Sequence, residues 1–125
     1  MRMLFSSIGL VALTSVAMAG NIAGKGPNGG RIADAATLHV ELVTNGSEIA
    51  VFTYDHDNKP VPAAGMVARV TVQDQGKTRM TDLAVAQKPN ELRGTLESTP
   101  GKGARIIVSL TPKGGKPQQA RFTAD

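Results

Sequence analysis

Residues 54–60, Tyr-Asp-His-Asp-Asn-Lys-Pro, gather an aromatic ring, two carboxylates, an imidazole, an amide and an ammonium into one short stretch. Histidine is the commonest protein ligand for transition metals, and carboxylates complete mixed nitrogen–oxygen sites for Zn, Ni or Cu ions. The second histidine of the chain, His39, stands in His39-Val40-Glu41-Leu42-Val43. His39 and His56 are therefore the candidate metal ligands, with Asp55, Asp57 and Glu41 as helpers. The competing reading of the stretch is an Asx turn, in which Asp55 or Asp57 holds backbone N–H groups and His56 is solvated.

Other chemistries fit less well. The chain has no cysteine, so disulfides, thiolate metal sites and cysteine nucleophiles are excluded. A calcium loop beginning at Asp55 would need an acidic or amide residue, Gly and Glu where Lys59, Pro60 and Met66 stand. Residues 24–29 spell G-x-G-x-x-G, but Pro27 interrupts them and no helical pattern follows, so no dinucleotide site is expected. Serines and aspartates are present without a nucleophile elbow, and the chain is not expected to be an enzyme. Met66 and Met80 are read as core fillers rather than Cu(I) ligands. Basic residues are spread along the chain. With Phe52, Tyr54 and Phe122 as the aromatics after the N-terminal segment, no nucleic-acid surface is expected.

The elements that must position these residues are strands. Seven runs have strand character, at 38–44, 48–54, 66–74, 78–84, 91–97, 104–111 and 119–124, separated by turn residues such as Asn45-Gly46 and Gln75-Gly76. No window carries a sustained helical period. The expected fold is all-β: an immunoglobulin-like antiparallel sandwich of about seven strands, with a small β-barrel as the alternative. Asn45-Gly46 predicts a two-residue type I′ turn, which pairs Leu42 with Ile49 and His39 with Phe52. Leu38, Val40, Leu42, Ile49 and Val51 then face the core. His39, Glu41, Phe52 and Tyr54 share the other face, expected to meet solvent. In this register His56 lies about 13 Å of strand rise from the level of His39. One shared site then requires the loop to fold back.

The N-terminus reads as a secretory signal peptide, residues 1–19, with Arg2, an apolar run and Ala17-Met18-Ala19 before the cut. The apolar run is shorter than the ~20 residues of a span, so no stable membrane insertion is expected after cleavage. Loss of Arg2 takes the formal net charge from +4 to +3. Residues 20–37 read as a flexible Gly-rich entry and 38–125 as one domain. Export without disulfides places the protein in a bacterial periplasm.

Several segments run in one order: Pro27-Asn28-Gly29-Gly30-Arg31-Ile32, His39-Val40-Glu41-Leu42-Val43, Asp55-His56-Asp57 with Lys59-Pro60-Val61, Ala64-Gly65, and Ala120-Arg121-Phe122. Together they resemble a group of small, mostly uncharacterised periplasmic proteins of proteobacteria, related to β-sandwich domains attached to adaptor subunits of heavy-metal efflux systems. The resemblance implies a periplasmic domain that handles metal ions, with an efflux component or other envelope protein as partner. It carries His39 and His56 over as the histidines of their motifs. Related sequences often have His immediately before the Gly-Gly pair, where this chain has Asn28. The expected function is non-enzymatic binding of a divalent transition metal. A metal-free module docking on an envelope partner is the alternative, and a hydrolytic enzyme the third reading.

Overall fold

A computed structural model describes residues 24–125; the signal-peptide segment lies outside the described residues. These residues form eight antiparallel strands and no helix. They are β1 (Arg31–Asp34), β2 (His39–Asn45), β3 (Glu48–Tyr54), β4 (Val67–Asp74), β5 (Lys77–Val85), β6 (Glu91–Thr95), β7 (Arg105–Thr111) and β8 (Gln118–Thr123). All seven expected runs are strands. The eighth, β1, comes from the segment read as a flexible entry.

The strands follow the order β1-β2-β3-β6-β5-β4-β7-β8, and β1 packs beside β8, so the sheet nearly closes on itself. The architecture is thus the small barrel rather than an open immunoglobulin-like sandwich. Strand β5 makes the difference, because it serves both halves. Lys77 to Leu83 pair with β4, whereas Ala84 and Val85 pair with Arg93 and Leu92 of β6.

Alternation along the strands builds one core. In β4, Ala68, Val70 and Val72 point inward, and in β7, Ile106, Val108 and Leu110 do the same. They meet Val40 and Leu42 of β2, Ile49 and Val51 of β3, Leu92 of β6, and Ala120 and Phe122 of β8. Each fully buried aliphatic side chain contributes about 1.5–3 kcal/mol relative to exposure. Met66 packs against this core, but Met80 is 60% exposed and fills nothing.

The β2–β3 hairpin keeps its expected faces in a different register. Asn45 pairs with Glu48, so Gly46 and Ser47 form the two-residue turn. Among these two, Gly46 alone has a positive φ, 63°, the signature of a type II′ turn. The type I′ pattern, positive at both central residues, occurs instead at Gln75 and Gly76, with φ of 49° and 80°. His39 consequently faces Tyr54, and Glu41 faces Phe52.

The face expected to meet solvent is covered. Ala50, Phe52 and Tyr54 form a second, smaller apolar cluster, and Glu41 among them is fully buried. Residues 24–30 lie across this face as a strap.

Candidate functional site

Two adjoining features occupy the outer face of β1–β2–β3. The first is the histidine pair. The observed register leaves His56 only two residues past Tyr54, about 7 Å of strand rise instead of about 13 Å. The loop then reverses. Asp55 N–H donates to Lys59 O and Asn58 N–H to Asp55 O, both at 2.9 Å, and Asn58 has a left-handed φ of 63°. The Asp55 carboxylate accepts from the amides of Asp57 (2.8 Å) and Lys59 (2.9 Å). These bonds, the Lys59 amide foremost, hold its carboxyl below the usual carboxylate range.

The stretch is therefore an Asx turn, and the same turn returns His56 to His39. His56 Nδ1 stands 3.4 Å from His39 Nε2, with the rings edge to face at 83° and centroids 5.1 Å apart. Asp34 of β1 lies directly opposite His39 in the ladder and brings Oδ1 to 3.3 Å from the same Nε2. On its far side, His39 Nδ1 is 2.9 Å from Asn58 Oδ1. An amide oxygen only accepts, so in this contact His39 Nδ1 is the donor.

Two acceptor-capable atoms thus approach His39 Nε2: His56 Nδ1 and Asp34 Oδ1. The two separations from His39 Nε2 match those between donors that share one metal ion at bond lengths of ~2 Å. The Asn58 contact holds the His39 ring in place from its other nitrogen. Among the described residues, no group of three or more His, Cys, Asp or Glu side chains is placed to hold a metal ion.

Glu41 stands apart from this cluster and belongs to the second feature. Gly30 N–H donates to its Oε2 at 2.8 Å and Asn28 N–H to the same oxygen at 2.9 Å. Asn28 Nδ2 (3.0 Å) and the Tyr54 hydroxyl (2.8 Å) donate to Oε1. Lys88 Nζ completes the clamp by donating to Asn28 Oδ1 at 2.9 Å, 5.5 Å above the Phe52 ring. The glycine-rich loop is thus an anion cradle, and its anion is a carboxylate of the same chain. Burial and the neighbouring Glu41 push the Tyr54 phenol well above its ordinary value.

The structure brings His39 and His56 together, turns Asp55 onto its own loop, and buries Glu41 beneath the strap. The Asp57 carboxylate has no hydrogen bond or ion pair among the described residues; only its amide is engaged. Asp34 and Asn58 are the site residues that sequence reasoning missed. Asp34 was hidden because β1, four residues of weak alternation, gave no strand signal. Asn28 fastens the strap to Glu41 through both its backbone amide and its side chain.

Between strap and sheet a cleft of about 360 Å³ opens beside His39, walled by Pro27, Ile32 and Tyr54 with Lys25 among its lining residues. No family model, no curated protein and no solved structure matches the chain.

Proposed function

We propose that this domain binds a divalent transition-metal ion, Zn, Ni or Cu, through His39 Nε2 and His56 Nδ1, with Asp34 as an adjacent oxygen donor. The observation that carries the reading is the approach of His56 Nδ1, at 3.4 Å, and of Asp34 Oδ1, at 3.3 Å, to His39 Nε2. The role is non-enzymatic. The N-terminal signal sequence and the resemblance to periplasmic proteins of metal efflux support a carrier or accessory in the periplasm that delivers to an envelope partner.

Titration of the purified protein with Zn²⁺, Ni²⁺ and Cu²⁺, followed by amide NMR and calorimetry, tests the reading. Saturable shifts centred on residues 34, 39 and 54–58 are expected, abolished by His39→Ala and by His56→Ala in folded protein. Wild-type affinity in both folded variants refutes the assignment.

A further inference from the structure

We infer that the cleft where β1 comes up beside β8 is an anion site, taking a phosphate group between the guanidiniums of Arg105 and Arg121. The inference is independent of the histidine pair. Arg31, Arg69, Arg79 and Arg93 each have a carboxylate partner, supplied by Asp125, Asp82, Glu97 and Glu91 respectively. Arg105 and Arg121, the remaining arginines of the described residues, have no ion-pair partner among those residues. These same two line one cleft, of about 420 Å³.

Strand register brings them together. On β4, β7 and β8 the even-numbered residues point inward, so the odd-numbered ones form the outer face. There Arg105 stands opposite Thr123 on one side and Gln73 on the other, and Ile107 stands opposite Arg121. Arg105 and Arg121 are thus diagonal neighbours, roughly 7–8 Å apart along the sheet, with Ile107 as the apolar floor beside them. Arg31 reaches the same cleft from β1, its charge balanced by Asp125, and no acidic side chain lines it. Two like charges held this close in one concave wall repel each other, and an anion between them relieves the repulsion. Phosphate is the anion that matches the wall. Guanidiniums bind it through paired N–H donors, and the Gln73 amide and Thr123 hydroxyl in the same lining can donate to its further oxygens. A carboxylate, with two oxygens and a single charge, leaves part of that donor set unused.

The phosphate has two sources, a soluble phosphate ester or a phospholipid headgroup, and the probes are inorganic pyrophosphate and vesicles of phosphatidylglycerol in phosphatidylcholine. Pyrophosphate added to the purified protein is expected to give saturable amide NMR shifts at residues 105–107 and 121–123. Arg105→Gln and Arg121→Gln should each weaken this binding at least fivefold with the denaturant midpoint unchanged. Arg69→Gln, on the same face but paired with Asp82 outside the cleft, should leave it unaltered. Vesicle binding that pyrophosphate displaces and Arg121→Gln abolishes assigns the headgroup. Pyrophosphate binding without vesicle binding assigns a soluble ester, and either result supports the site. Shifts that never saturate, or an Arg69→Gln variant weakened as much as Arg121→Gln, reduce the effect to diffuse surface charge and overturn the inference.

Discussion

Tyr54 donates its phenolic proton to Glu41 at 2.8 Å, beneath a loop whose own amides close on the same carboxylate. The two residues face the side of the sheet that an alternating pattern assigns to solvent. They are buried because residues 24–30 lie over them, and the strap is held because they are there. Carboxylate, phenol and strap form one cooperative unit, adjoining the histidine pair through Tyr54 and the cleft.

Glu41→Ala removes the acceptor of four hydrogen bonds and leaves their donors under the strap. About 1–3 kcal/mol is expected for each donor that stays buried and unpaired, and the strap is expected to lift instead of bearing the full cost. Amide hydrogen exchange at Asn28 and Gly30 should accelerate well beyond that of the β7 core. In the wild type the phenol, the chain's one tyrosine, should not ionise at its ordinary pH. Its raised pKa means that this contribution is complete below about pH 10 and is lost as pH rises towards the folded value. A phenolate absorbance rise centred on the ordinary tyrosine range in the folded protein would contradict the buried phenol–carboxylate bond.

Gly30→Ala tests how closely the strap lies on the sheet. A Cβ at Gly30 would stand 2.3 Å from the carbonyl oxygen of Leu42, a backbone atom that cannot swing aside. Overpacking of this kind costs about 1–3 kcal/mol, to be read from a shift in the denaturant midpoint. A midpoint unchanged from wild type would show that the strap does not sit where the structure places it.

Glu91 supplies a dependence on acid. Burial pushes its carboxyl upward, but the Arg93 guanidinium and the Lys88 amide outweigh this and leave it lowered. A lowered carboxyl stabilises the fold fully above its ordinary value of 4.5, and that share is lost as pH falls through the folded value. Denaturant midpoints recorded against pH should therefore fall less steeply in acid for Glu91→Gln than for wild type. Parallel curves would remove Glu91 from the account of acid stability.

How far the fold could be read in advance depended on which signal each residue carried. The inward set Leu38, Val40, Leu42, Ile49 and Val51 was legible from alternation, and it is buried. The register of the same hairpin was not, because the expected and observed pairings differ by two residues. A shift of two returns every side chain to its own face, so hydrophobic pattern cannot separate the two registers. Turn geometry decides, and Gly46 accepts either turn type. Asp34 and the strap were illegible for another reason. Their positions follow from tertiary cover over Phe52 and Tyr54, although two aromatics flanking a glutamate on an outer face were a hint that something must lie above them. For the histidines the two readings of the loop proved compatible: the turn that Asp55 caps is the one that carries His56 back.

The change of partner within β5 has a mechanical consequence. At Leu83 the strand leaves β4, and only Ala84 and Val85 pair across to β6. The molecule is therefore two four-stranded leaves around one core, joined on one side by this short pairing beside the buried Leu92 and on the other where β1 packs beside β8. The strap, the cradle and both histidines ride on one leaf, β1–β2–β3–β6 and its loops. The distance between the two imidazoles is therefore set within one leaf, by the β2–β3 pairing and the turn at 55–59, and not by how the leaves meet.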